Sequence, residues 1–300
     1  TPTSYHIGYK IGPRINAGGR VGKSNFGSTL LFTDDKNKAL KIAKELDFLN
    51  LQRQKIQNQI IKKAEDEAIK ENYKPILTLK SNDWHEGVIG IIASRIKDRF
   101  NKPTILISLT GSTGKGSCRS VHGFDIGAAI ISALNLSLIE KGGGHKMAGG
   151  FVIKSNKINE FKNFMIEQFK RSKAYHYKNS NKFIDLIISA SALNEEFYNK
   201  INQIGPFGSG NSEPIFLIEN VKIIKTFKIA DLHIKGIFVS QSGSSFKGIA
   251  FNCIGTKLEN YLSTDYNKKI NIVGKFSLNE WQGSRNIEFI IEDISVIKTQ

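Results

Sequence analysis

Hydrophobic and polar positions divide the chain into regimes of different period. From Thr33 to about Asn72, apolar residues recur at three- and four-residue steps: Ile42, Leu46, Leu49, Ile56, Ile60 and Ala64. That spacing predicts one long helix, with Arg53 interrupting its stripe. Thr33, Asp34 and Asp35 suit an N-terminus, where side-chain oxygens accept free amides and acids meet the helix dipole. Pro75 sets the far end, because the residue before proline avoids helical backbone. About 38 residues at ~1.5 Å each make a rod of roughly 57 Å, which predicts a connector over 33–73 lying across domains.

Residues 74–173 alternate between two periods. Short apolar runs (PILTLK, PTILISL, GFVIK) interleave with helical stretches at Val88–Phe100, FDIGAAIISALNLSLIEK and Asn156–Ser172. Strands interleaved with helices predict an α/β domain with a mostly parallel sheet. AYHYKNSNK is polar and reads as a linker. Residues 180–300 hold short strands at steady spacing, with a small helix around KLENYL. Five or so strands with one inserted helix predict an all-β barrel. Residues 1–32, with IGPRINAGGRVGKS, read as a Gly-rich basic loop.

Charge narrows the range of partners. Lys and Arg total 43 against 27 acids, giving +16 and a pI near 9.7, which favours a polyanion. The chain is also rich in Lys, Asn and Ile, so clustering of the cations matters more than their number. No apolar run reaches membrane-spanning length. The opening TPTSYHIGYKIGPR has no basic-then-apolar leader and no initiator Met; it reads as a fragment of a cytoplasmic protein. Cys118 and Cys253 are far apart, without metal spacing, and read as free thiols.

Three Gly-rich basic stretches carry the candidate chemistry. In GGGHKMAGG (142–150), glycines accept positive φ and let amides approach an anion, as Gly143 and Gly144 would, while His145 donates to a phosphate oxygen and Lys146 adds charge. In GKGSCRSVHG, Lys115, Ser117 and Arg119 offer an ammonium, a hydroxyl and a planar fork on what reads as a second loop. In IGPRINAGGR, Arg14 and Arg20 frame Asn16, for phosphate clamping or helix capping. Trp84 reads as a core plug, and His122 fits no role. In the barrel, His233, Lys235, Trp281 and Arg285 mix rings with cations, as single-strand binding requires. There is no P-loop, and Asp83, Asp125 and Asp185 are isolated, so no divalent-metal cluster is evident.

These stretches, in order, resemble the carboxyl-terminal two thirds of the RecJ family of the DHH phosphoesterase superfamily. IGPRINAGGR resembles the end of the catalytic DHH domain, and LNLQRQKI part of the connector helix. WHEGVIGIIASRIKDRFNKPTILIS, GSCRSVHGFDIG and GGGHKMAGG resemble blocks of the DHH-associated domain. IGPFGSGNSEPIF and LNEWQGSRNIEFIIEDI resemble an OB-fold. Gly149 stands where the family usually has Ala, as does Gly18. The resemblance implies 5′-end hydrolysis of single-stranded DNA in recombination and repair, with Mn²⁺ or Mg²⁺ held by a DHH domain upstream of Thr1. It implies His145 as catalytic over the scissile phosphate, Ser117 and Arg119 on a DNA phosphate, and Arg14, Asn16 and Arg20 along the approach. It implies a monomer working with single-strand-binding protein and a helicase. Two other readings stand beside it: a non-catalytic single-strand-binding module, and a phosphodiesterase of short oligonucleotides.

Overall fold

The structure, a computed structural model, describes residues 4–176, 182–208, 210–263, 269–281 and 284–296. It divides into two units, Thr1–Ser180 and Asn181–Gln300.

A π-helical turn at His6–Ile11 leads into three helices, α1 (Gly12–Val21), α2 (Phe26–Phe32) and α3 (Lys36–Lys70). The Asp35 side chain caps α3 by accepting from the amides of Asn37 (2.8 Å) and Lys38 (3.1 Å). The expected long helix is there, and its apolar stripe is buried in two stages. Leu46 and Leu49 pack under α1, where a Cβ on Gly22 would come within 2.6 Å of Leu49. Farther along, Ile60, Ala64 and Ala68 enter a core shared with Leu77, Val88, Ile92 and Ile96. The stretch read as a Gly-rich loop at Gly12–Arg20 is therefore helical: packing against α3 outweighs the poor helix propensity of its glycines.

The chain continues through β1 (Leu77–Ser81), α4 (Glu86–Phe100), β2 (Thr104–Thr110), β3 (Thr113–Arg119), α5 (Ile126–Asn135), β4 (Lys141–His145), β5 (Ala148–Lys154), α6 (Ile158–Lys170) and α7 (Lys173–His176). The strand order is β1-β2-β3-β5-β4. Only β1–β2 is parallel; the β2–β3, β3–β5 and β4–β5 pairs are antiparallel. The α/β class holds, but the sheet is mixed and mostly antiparallel rather than mostly parallel. The reason is local. Gly111, at φ 59°, turns β2 directly into β3, and Lys146–Met147 turn β4 into β5, so neither step needs a crossover helix. One sheet face packs Ile105, Ile107, Cys118 and Phe151 against α5 and α6; the other packs Leu77, Leu79 and Leu106 against α3 and α4.

The second unit contains β6 (Leu186–Ile187), α8 (Glu195–Gln203), β7 (Phe216–Ile229), β8 (His233–Val239), β9 (Ser245–Ala250), α9 (Lys257–Ser263), β10 (Ile270–Trp281) and β11 (Ser284–Val296). The order β7-β8-β9-β11-β10 closes through a β10–β7 pairing. β9 and β11 run parallel, and α9 sits between the third and fourth barrel strands. A closed five-stranded barrel wired this way is an OB-fold, as expected. Phe216, Phe238, Phe276 and Phe289 fill it.

Candidate nucleic-acid interface

Strand register in the first unit arranges the candidate residues in rows. Directly paired residues of antiparallel strands project to the same face. Lys115 pairs with Val152, which pairs with Lys141. The next row is Ser117, Gly150 and Gly143, and the third is Arg119, Ala148 and His145. Alternation along β3 accounts for this: Gly114, Gly116 and Cys118 are buried on the opposite face. The predicted basic loop is thus a strand, and its glycines make room for packing. A Cβ on Gly116 would stand 2.1 Å from the Phe151 ring.

Over the first two rows lies a cleft of about 450 Å³, walled by Gly19 and Arg20 of α1 and by Glu86, Gly87 and Ile89 of α4, with the row of Arg119 and His145 next to it along the sheet. Helix α4 positions the cations. A Cβ on Gly90 would sit 3.0 Å from both Arg119 Nη2 and Ser117 Oγ, so only a bare turn lets β3 approach this closely. Ser94 Oγ accepts from Arg119 Nε at 3.0 Å. Arg119 Nη1 donates to Ser117 Oγ (3.1 Å) and to the Cys118 carbonyl (2.8 Å). Among the described residues Nη2 has no protein acceptor. Arg20 Nη1 donates to the Gly87 carbonyl at 3.0 Å. Burial holds the Arg119 guanidinium below its ordinary range; Cys118 opposes that shift and the charge of Arg20 adds to it. The acid in the cleft, Glu86, is paired with Lys115 at 2.8 Å. Arginine forks, lysines and a hydroxyl on a flat Gly-rich floor suit an oxyanion.

His145 is exposed at the end of β4, and its backbone is fixed. The Met147 carbonyl accepts from Ser120 N (2.9 Å) and the Lys146 carbonyl from Ile126 N (3.2 Å), which docks the hairpin tip onto the start of α5. A Cβ on Gly127 would lie 2.9 Å from the His145 backbone. Lys146 is exposed in the turn. The five glycines read as positive-φ loop residues sit instead in two paired strands, none of them at positive φ. Gly142, Gly144 and Gly149 are required by close packing: a Cβ on Gly144 would come within 2.4 Å of the Ala148 carbonyl. Gly143 is different, with nothing within 4 Å of its Cβ position; it forms open cleft floor.

The other candidates are dispersed. Arg14 is tied to Asp47 at 2.7 Å and to the Lys10 carbonyl at 2.7 Å, joining α1 to α3. Asn16 is exposed on α1. Trp84 is buried in the core between α3 and α4, and His85 caps α4 by accepting from Gly87 N at 3.1 Å. His122 is exposed. Lys141 and Arg53 were overlooked in the sequence: Lys141 ends a helical run in one-letter text, and Arg53 looks like a flaw in an apolar stripe. Among the described residues, no group of three or more His, Cys, Asp or Glu is placed to hold a metal ion. The ammonium, guanidinium and hydroxyl donors of this cleft do not fit Mg²⁺ or Mn²⁺. Burial pushes the Cys118 thiol up to about 12, so it is no nucleophile.

In the barrel, His233 Nδ1 accepts from Asn252 N at 2.8 Å, and its ring meets Phe251 edge-on at 5.2 Å. Lys235 is paired with buried Glu288 at 2.6 Å, and Arg285 with Glu280 at 2.9 Å. Trp281 ends β10 opposite Ser284, and its side chain lies outside the described residues. Phe227, Phe251 and Lys225 are also exposed on this unit; in the sequence they sit in strand-like text that gives no sign of it.

Residues 73–171 match the model of the DHHA1 domain, and residues 184–293 that of the RecJ OB domain. The chain is 31% identical to the single-stranded-DNA-specific exonuclease RecJ of Haemophilus influenzae, over 98% of this chain and 52% of the relative. It is 30% identical to that of Salmonella typhimurium, over 96% of this chain and 51% of the relative. It therefore spans about half the length of these relatives. The crystal structure of RecJ from Thermus thermophilus in complex with Mn²⁺ covers 100% of this chain and 42% of its own, with TM-score 0.79 and 26% identity. No helix among the described residues is long and apolar enough to cross a membrane.

Proposed function

The chain carries the DHHA1 and OB domains of the RecJ family, and on that premise we propose that it is the substrate-holding part of a 5′-directed exonuclease of single-stranded DNA in recombination and repair. Residues 1–32 then close a catalytic domain whose greater part precedes them. Mn²⁺ or Mg²⁺, held by residues outside those described here, would supply Lewis acidity to the phosphoryl group.

The observation that supports this reading best is the three-row face of β3, β5 and β4, two rows of it lying under Arg20 and the third carrying Arg119 and His145. Arg119 presents Nη2, and Ser117 its hydroxyl, to a strand phosphate. Lys115 leaves Glu86 to meet the anion, an exchange of one exposed pair for another. His145, two strands along the same row, lies within reach of a neighbouring phosphate oxygen, to which it donates a hydrogen bond as charge builds there. The barrel, with Phe227 and Phe251 exposed beside Lys225 and His233, grips the trailing strand by stacking and charge. In isolation the chain binds without cleaving.

Fluorescence anisotropy with a labelled oligonucleotide tests this reading. Affinity should fall steeply with salt, because phosphate contacts release counterions. Arg119→Ala should weaken binding about tenfold, the scale of one charge-assisted fork. Salt-insensitive binding, or none, would remove DNA as the ligand.

A further inference from the structure

Arg53 is 8% exposed in the middle of α3, yet its partners are neutral. Nε and Nη2 donate to Asn50 Oδ1 at 3.2 and 3.0 Å, and Nη1 donates to Gln57 Oε1 at 2.8 Å. Asn50 and Gln57 are themselves buried. Buried guanidinium groups ordinarily bring a carboxylate with them, because an uncompensated charge away from water is costly. Here no carboxylate pairs with Arg53, nor with half-buried Arg20 or Arg119, among the described residues.

The position of Arg53 gives this a direction. It lies on the same stripe as Leu49, which packs on α1, and Ile56, which packs on the α4 core. Arg53 therefore sits where α3 passes from one to the other. Arg20 is the α1 residue that reaches α4, donating to the Gly87 carbonyl, and a Cβ on Gly87 would strike the Arg20 carbonyl at 2.0 Å. α4 in turn holds Arg119 through Ser94. Arg20 and Arg119 thus both dock on α4, the helix that packs against the stretch of α3 following Arg53. Burial depresses the Arg53 guanidinium, and the charges of Arg20 and then Arg95 deepen the effect. It stays protonated at neutral pH.

We propose that Arg53 is a positioning residue of the anion cleft: the amide clamp of Asn50 and Gln57 fixes its guanidinium without cancelling it, so a buried positive charge reinforces anion binding by Arg20 and Arg119. Amides in place of acids are the choice that keeps the field. A carboxylate would hold the fork better and stabilise the fold more, but it would neutralise the charge. This inference rests on the reading of the cleft as a phosphate site.

Asn50→Asp separates charge from packing. It keeps both acceptor contacts and the volume, and places a carboxylate on Arg53. The probe is a 5′-phosphorylated oligothymidylate with a 3′ fluorophore, titrated with the full chain at low salt, alongside a thermal melt. We expect at least about fivefold weaker binding with an unchanged or higher Tm, the scale on which one added charge acts in a partly buried setting. Gln57→Glu should do the same, and it decides the matter if Asn50→Asp does not fold. Wild-type affinity in both variants, with Arg119→Ala still weakened, would overturn the role of Arg53 and leave the cleft intact. If the wild type does not bind, or Arg119→Ala binds like it, the phosphate reading itself fails.

Discussion

Arg119 and His145 stand in one row of the sheet, on the same face, with Ala148 between them. Two strand spacings of about 4.8 Å separate their backbones by roughly 10 Å. One residue belongs to GSCRS and the other to GGGHK, far apart in sequence and brought together by β5. Arg119 is held by three protein acceptors, while His145 is exposed on a docked hairpin. One is fixed by its neighbours, the other open to solvent.

That division predicts different kinetics for the two. In the complete enzyme proposed above, His145→Ala should lower kcat about a hundredfold or more, the scale of one proton or hydrogen-bond donor in a transition state, and change KM little. Single-turnover and steady-state cleavage of a labelled strand would measure both. Unchanged turnover would remove His145 from the chemistry.

Arg119→Lys should not rescue Arg119→Ala. The ammonium cannot reach Ser94 Oγ, Ser117 Oγ and the Cys118 carbonyl while still offering a fork outward. Both variants should bind single-stranded DNA about tenfold more weakly than wild type. Full recovery in the lysine variant would mean that point charge alone suffices.

Adjacent glycines should respond oppositely to alanine. Gly144→Ala drives a Cβ against the Ala148 carbonyl and the Gly149 Cα, so Tm should fall by several degrees, as for about 1–3 kcal/mol of overpacking. Gly143→Ala meets nothing, so Tm should hold while the methyl intrudes on the cleft floor and DNA affinity drops. Melts and titrations of the two variants test the contrast.

The same glycines show where the sequence was legible and where it misled. The long helix was readable because its stripe and its Asp35 cap are local signals. The barrel was readable from strand spacing and the inserted α9. β3 and β4 were read as loops because glycine is poor strand text; their glycines answer to Phe151, Ile130 and Gly149, contacts made across the sheet. The helix over Gly12–Val21 was hidden for the same reason, with Gly18 answering to Leu46 and Gly22, just past its end, to Leu49. Sheet direction was misjudged because it turns on Gly111 and a two-residue hairpin, not on the alternation of helices and strands. Register, which puts Arg119 and His145 in one row, is set by pairing that no window of sequence contains.

Burial alone would raise the Glu71 carboxyl, but hydrogen bonds from Lys74 (2.5 Å) and Lys162 (3.3 Å), with the charge of Lys162, bring it below its ordinary range. The pair with Lys162 ties the connector to α6. A carboxylate depressed in the folded state stabilises it fully above its unfolded value, near 4.3, and that contribution disappears as pH falls through the lower folded value. The Tm gap between wild type and Glu71→Gln should therefore be widest above the unfolded carboxylate value and close as pH falls below it through the lower folded value. Melts across that range would measure it. A gap independent of pH would mean that the Gln variant loses packing rather than charge.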